Sequence, residues 1–317
     1  MLARPVFMWI SAAGLTLGSV LTAFGQDYPN HPIRMLTSAA GGGNDFMARL
    51  VAQWLSEPLG QQVIVDNRTS LQAAEAVTRA TPDGYTLLFA GSSFVRLPLL
   101  RKNIYDPVHG FTPVGMVDSS PVIFVVHPSL PIKSIKELIA LAKSRPGQLN
   151  YASGSIGGAQ HLSMELFKAM SAVNIVKVSY KGGGPGMAEL VAGQTQVTST
   201  TIPTALPYVK SGKLRPLAVS SSKRSALAPD IPTVAASGVP GYEFLTVDSI
   251  LGPPGMPAAI VNRLNEEIVR VLNMQAVKDR MLSVGSEAAP GSPADLAAFI
   301  KSDSAKLGKL IAAEGVR

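Results

Sequence analysis

IRMLTSAAGGGNDFMARLVAQWL, residues 33–55, decides how the rest of the chain is read. Ile33, Met35 and Leu36 form a short apolar run of β type that empties into Gly41-Gly42-Gly43. Phe46, Met47, Leu50, Val51, Trp54 and Leu55 then recur at helical spacing. Strand, glycine turn and helix make an anion-binding arrangement. Glycine lets backbone amides approach a ligand, and the free N–H groups of the first helical turn point at it.

The arrangement recurs at residues 153–158 and 181–186, within a strand–helix alternation that runs from residue 32 to about 220. Strands are expected at 33–38, 63–66, 85–90, 114–117, 122–126, 150–152, 175–180, 197–202 and 214–220. Helices are expected at 44–59, 71–80, 134–145, 160–172, 187–193 and 205–211, the third opened by a Ser134/Glu137 capping box. The last third shows helical spacing at 260–273 and 293–314 and few strand signals. Such alternation demands an α/β fold with parallel-rich sheets. The apolar strands at 122–126 and 214–220 flank one complete block of βα units. A chain that leaves one domain, builds a second and returns needs two connections there. The expected division is a discontinuous first lobe, 26–124 plus 222–317, and a second lobe, 125–221, with a cleft between them where a small ligand docks.

Residues 1–25 are set apart from the fold. Arg4 supplies a positive n-region, residues 6–23 an apolar core, and Ala23-Phe24-Gly25 the small residues a signal peptidase reads. Cleavage is expected near Gly25/Gln26; the alternative, a retained anchor, is cut short for a membrane span by Asp27, Tyr28 and Pro29. The chain has no cysteine, which excludes disulfides, thiolate metal sites, a cysteine nucleophile and lipid attachment through an N-terminal cysteine. An exported protein of the bacterial periplasm is expected. With 46% hydrophobic and 15% charged residues, the remaining chain supports sizeable cores. The net charge is +7, yet Lys and Arg are scattered and aromatics make up only 6%, a pattern that argues against nucleic acid.

Each of the three glycine loops follows a strand and precedes a helix, so each lies at a strand's carboxyl end, where open α/β sheets bind ligands. Candidate contacts are Ala40, Gly41, Gly42, Gly43, Asn44 and Asp45 in the first loop. In the second they are Ser153, Ser155, Gly157, Gly158 and the following His161; at the third, Tyr180, Lys181 and Gly182. Helix N-termini facing a cleft suit carboxylates without any cationic side chain. No loop reads G-x-G-x-x-G or G-x-x-x-x-G-K-[ST], and Asp45 would repel a phosphate, so nucleotides are disfavoured. His31, His109, His127 and His161 form no metal pattern, and there is no G-x-S-x-G elbow. Neither enzyme activity, cofactor nor metal is expected. For His161, ligand contact and helix capping both stay open.

Taken together, YPNHPIRMLTSAAGGGNDFMARLVAQWL, VIVDNR, TPDGYTLLFAG, HLSMELFK, VSYKGGGPGMAELVAGQ, ALPYVKSGKLRPLAVSSSKRS and LAPDIPTVAASGVPGYEF resemble the Bug (TctC-like) family of bacterial periplasmic solute receptors. The resemblance runs from Tyr28 to about Glu314. It implies a two-lobe periplasmic-binding-protein fold (type II-like, a Venus flytrap) that closes on a carboxylated small molecule. It also implies membrane subunits of a tripartite tricarboxylate transporter as partners. One carboxylate would be held by the second lobe, the other end by the first loop partly through water, with Asp45 holding a water. The resemblance adds Ser92, Thr200, Thr201 and Asp248 to the candidate contacts. A monomer is expected, and a sensing role on a kinase is the alternative to transport.

Departures from the family pattern cluster around the expected pocket. Thr69-Ser70-Leu71-Gln72 stands where a longer glycine-rich stretch is common. Gly158 replaces a frequent hydroxyl residue, Thr200-Thr201 replaces an Asp-Asn pair, and Val247-Asp248 an aromatic pair. Losing an acid at position 200 argues against an amino-acid ligand. Arg96 stands where the family is usually uncharged. Its open roles are exposure to solvent, pairing with a second ligand carboxylate, or pairing with Asp248.

Overall fold

The computed structural model describes residues 28–38, 40–41, 43–101, 104–154 and 157–313. The expected signal segment, with its cleavage point at Gly25/Gln26, lies outside them, as do Gly42 and Ser155. The chain begins with β1 (Ile33–Thr37), α1 (Gly43–Leu59), β2 (Val63–Asn67), α2 (Ser70–Thr78), β3 (Thr86–Ala90), α3 (Ser93–Leu100) and β4 (Thr112–Val126). It continues through α4 (Ile135–Ser144), β5 (Asn150–Ser153), α5 (Ala159–Ser171), β6 (Val176–Ser179), α6 (Gly183–Val191), β7 (Val197–Thr201), α7 (Ile202–Lys210) and β8 (Arg215–Val219). Last come β9 (Leu245–Gly252), α8 (Ala258–Leu272), α9 (Gln275–Ser283), β10 (Glu287–Gly291) and α10 (Pro293–Ala313).

The sheets are mixed. β2, β1 and β3 run parallel, while β9 joins β3 antiparallel and β4 joins β9 antiparallel. In the other half, β6, β5 and β7 are parallel, and β4 meets both β7 and β8 antiparallel. β4 therefore belongs to both halves. Residues 112–121 pair with β9, and 122–126 with β7 and β8. Strands were expected separately at 114–117 and 122–126, with Pro121 as a boundary. The structure corrects this to one strand of 15 residues. Pro121, which has no N–H to donate, sits where the partners change: it is the last residue opposite β9, and Val122 is the first opposite β7.

Side-chain alternation along β4 builds both faces of the second half. Val122, Phe124 and Val126 enter the core beneath α4 and α5, while Ile123 and Val125 enter the one beneath α6 and α7. β1 does the same in the first half: Ile33 and Met35 pack under α1 and α8, and Leu36 with α2 and α3.

The chain returns to the first half later than the expected 221/222. Val234, Val239, Tyr242 and Phe244 are buried in the second-half core. The Val234 N–H donates to the Val219 carbonyl and the Tyr242 hydroxyl to the Ser163 carbonyl. The second crossing is thus the start of β9, where Leu245 faces Pro121. A third connection was not expected. α10 buries Leu296 and Ile300 in the first half and Leu307, Leu310 and Ile311 in the second, a reach of about 22 Å at 1.5 Å per residue.

Four elements were not foreseen: β9, β10, α3 and α9. β9 and β10 fall where few strand signals were read, and α3 carries Pro98. Thr69, in the shortened segment, caps α2 instead of forming a glycine turn. Its side chain accepts from Gln72 N–H, and Gln72 accepts from Thr69 N–H, both at 3.3 Å. At α4 only half of the expected box forms: Ser134 Oγ accepts from Glu137 N–H at 3.2 Å, but the Glu137 carboxylate takes the Lys133 N–H.

Candidate ligand-binding site

A cavity of about 470 Å³ opens between the two halves. Three helix beginnings reach it: Gly43 and Asn44 of α1, Ser92 and Ser93 at α3, and Thr201, Ile202 and Pro203 at α7. The positive ends of three helix dipoles therefore converge on one space. Phe46, 44% exposed, adds an apolar wall. β4 and β9 supply the floor through Asp118, Ser120, Thr246 and Asp248.

Of the residues expected from sequence, the cavity wall brings together Gly43, Asn44, Ser92, Thr201, Asp248 and Arg96. Ser92 is held by its neighbour: its hydroxyl accepts from the Val247 N–H at 2.7 Å, locking the start of α3 to β9. Gly91 leaves room for its neighbours, since a Cβ there would stand 2.8 Å from Asp248 Oδ1 and 3.0 Å from the Asn44 amide.

Asp45 does not line this cavity. Its carboxylate accepts from Gly41 N–H at 2.8 Å, Asn67 Nδ2 at 2.8 Å and Arg49 Nε at 2.9 Å. Those bonds hold its pKa below the usual carboxylate value and staple the first glycine loop to β2. Ala40 and Gly41 are exposed and lie away from the cavity wall.

The second-half loops are also displaced from it. Leu100, at the end of α3, stands against Gly157, where a Cβ would overlap its side chain. Ser153 is buried at the end of β5, and its carbonyl accepts from Tyr180 N–H. Gly182 N–H reaches the Gly154 carbonyl, and Gln160 Oε1 accepts from Gly154 N–H at 3.2 Å, so the two loops pack on each other. Tyr180 lies against Gly186, and Lys181 is exposed. Thr200 is buried opposite Ile123 in the ladder. Gly158 caps α5, and Gly157 N–H donates to His161 Nδ1 at 3.0 Å. Burial holds the His161 pKa down at about 4, with Lys177 contributing, so its ring is neutral and closes its own loop.

Arg96 is buried, at 4% exposure, which removes solvent exposure from its three open roles. Its guanidinium donates to the Leu245 carbonyl at 3.0 Å, lies 4.7 Å from the Phe244 ring centre and faces Asp303 of α10 at 3.9 Å. No ion pair joins it to Asp248 among the described residues.

What sequence reasoning missed is Asp118. It stands directly opposite Asp248 in the β4–β9 ladder. Asp118 Oδ1 accepts from the Asp248 N–H at 3.0 Å, and the Ser286 hydroxyl donates to Oδ2. Burial pushes the Asp118 carboxyl up to about 6, and burial together with Asp118 pushes Asp248 higher than its ordinary value. A signal was present: Val-Asp-Ser occurs at 117–119 and again at 247–249, each time inside an apolar run. Among the described residues no cluster of three acidic or histidine side chains could hold a metal.

The family described as tripartite tricarboxylate transporter family receptor, TctC, matches residues 47–316. The chain belongs to the TctC family. A TctC relative, protein BugT of Bordetella pertussis, is 33% identical over 292 residues, 90% of each chain. An R. palustris protein solved with adipate is 34% identical, with a TM-score of 0.73 over 92% of this chain and 99% of its own. MatC from Rhodopseudomonas palustris, solved with bound malate, is 27% identical, with a TM-score of 0.69 over 90% of this chain and 100% of its own. TctC proteins are solute receptors, and the mixed α/β halves described above are their two-lobe architecture. Among the described residues no helix is long and apolar enough to cross a membrane.

Proposed function

We propose that this chain is a periplasmic receptor that closes two lobes over a small carboxylate and, once closed, is recognised by membrane subunits of a tripartite carrier. The first lobe holds β1 to the first part of β4 and everything from β9 onward. The second runs from Val122 to Phe244, with the end of α10 docked on it. The carrying observation is the convergence of three helix N-termini on one cavity of about 470 Å³, within the range of small-molecule sites. Carboxylates are what such a field attracts, and adipate and malate, bound by the two R. palustris relatives, carry two each. The protein binds and releases its ligand unchanged, as a monomer, and closure shifts a hinge equilibrium at β4 and β9.

Thermal-shift measurements on purified protein against mono-, di- and tricarboxylates test this reading. A ligand at 100 times its dissociation constant adds about 2.7 kcal/mol of stability. Stabilisation confined to carboxylates supports the proposal. A panel without effect, or turnover of a bound compound, rejects it.

A further inference from the structure

The floor of the cavity carries two carboxylates, with no cationic side chain paired to either among the described residues. Asp118 and Asp248 are cross-strand neighbours, an arrangement that repels when both are ionised. Asp118 is fully engaged, by the Asp248 N–H and the Ser286 hydroxyl. Asp248 differs: among the described residues no side chain or backbone group donates to its carboxylate, and neither acid has a Lys or Arg partner. Its Oδ1 sits over Gly91, beside the Asn44 amide at the start of α1.

A second observation comes from another wall of the same cavity. Arg96, at 4% exposure, lines it too; its Nε faces Asp303 Oδ2 of α10 at 3.9 Å, beyond hydrogen-bond reach, and both atoms lack a hydrogen-bond partner. The cavity wall thus carries Arg96 and the start of α7 together with an unengaged carboxylate, which lies beside the starts of α1 and α3. Thr200, whose lack of charge argued against an amino-acid ligand, is sealed in the β4–β7 ladder and does not line the cavity.

We propose that Asp248, held in place by its pairing with Asp118, receives a cationic nitrogen of the ligand, so that the solute is an aminocarboxylate and not a plain dicarboxylate. This rests on the carboxylate-receptor reading and names its substrate class. The ammonium donates to the free oxygens of Asp248 and offsets the charge of both acids. The ligand carboxylate then lies toward the start of α7 in the second lobe.

Calorimetric titration of the full mature protein at about pH 8 tests it with matched pairs, succinate against aspartate and adipate against 2-aminoadipate, together with putrescine as a carboxylate-free amine. The expected result is that the amine-bearing member binds about tenfold tighter or better, and that D248N removes most of that preference while sparing the plain acid. The wild-type preference needs no variant, so a D248N protein that fails to fold leaves the test intact. Equal or tighter binding of the plain acids overturns the inference and leaves the receptor reading standing, as does a preference that D248N does not alter. Binding of putrescine alone overturns the receptor reading while supporting the role of Asp248. Silence from every probe overturns both.

Discussion

Gly285 and Pro203 touch across the two lobes. Gly285 follows α9 in the first lobe, Pro203 lies in the first turn of α7 in the second, and a methyl group on Gly285 would overlap the proline ring. The lobes meet this closely only because one partner has no side chain.

Gly285→Ala is therefore expected to hold the lobes apart and weaken ligand binding. The backbone at Gly285 has φ +84°, so alanine also adds strain of about 1 kcal/mol. Gly255→Ala is the control, with φ +83° and open space around it. Both variants should melt earlier, but only Gly285→Ala should lose affinity and show an enlarged radius of gyration by small-angle scattering. Equal affinities in the two variants would contradict the contact's role in closure.

Gly91→Ala acts on the cavity itself. Its Cβ would arrive 2.8 Å from Asp248 Oδ1 and 3.0 Å from the Asn44 amide, so both must move. Ligand affinity is expected to fall severalfold or more, while the change in melting temperature stays small because the neighbours are side-chain ends. Calorimetric titration of the variant beside the parent protein checks this.

Arg96 and Asp303 are expected to behave as one unit. Arg96→Ala strands a buried carboxylate and removes the bond to Leu245 and the contact with Phe244, a loss of about 3 kcal/mol. Adding Asp303→Ala removes the stranded charge, so the double variant should be less destabilised than the sum of the singles. Strict additivity in a double-mutant cycle would show that the two do not interact.

The Asp118–Asp248 pair gives the ligand-free protein a particular pH dependence. The Asp118 pKa in the folded protein, about 6, lies above the unfolded value near 3.9. Its contribution to stability is full below the unfolded value and is lost as pH rises through about 6. His161 works in the opposite sense. Its folded value of about 4 lies below the ordinary 6.5, so its contribution is lost as pH falls through that window. Asp118→Asn removes the first contribution, together with the charge that helps raise Asp248, and leaves that of His161 in place. The melting temperature at about pH 5 minus that at about pH 8 should be more positive in the parent than in Asp118→Asn; identical differences would mean that Asp118 is ionised throughout.

Much of the fold was legible because its signals are local. The β1–loop–α1 unit, the strand–helix alternation and the apolar run at 122–126 follow from glycine placement and from periods of 2 and 3.6, which any short window carries. β9 escaped because Asp248 and Ser249 interrupt its apolar pattern: Asp248 lines the cavity, and Ser249 is buried with its hydroxyl donating to the Ala90 carbonyl. The cap at Ser134 was readable, since a side chain reaching its own backbone needs no tertiary partner, while the one at Thr69 was not read.

The sequence by itself determined the α/β class, the glycine turns at the heads of the helices and the family to which the chain belongs. Those depend on residues close together along the chain. Only the tertiary structure decided which helix beginnings share a cavity: Gly43, Ser92 and Thr201 converge, while Leu100 closes off Gly157. It alone set Asp118 opposite Asp248, 130 residues apart, and buried Arg96 against Asp303. The register of β4 against β9 and the docking of α10 across both lobes fix these pairings, and such long-range contacts arise from burying two apolar cores at once, which no local pattern encodes.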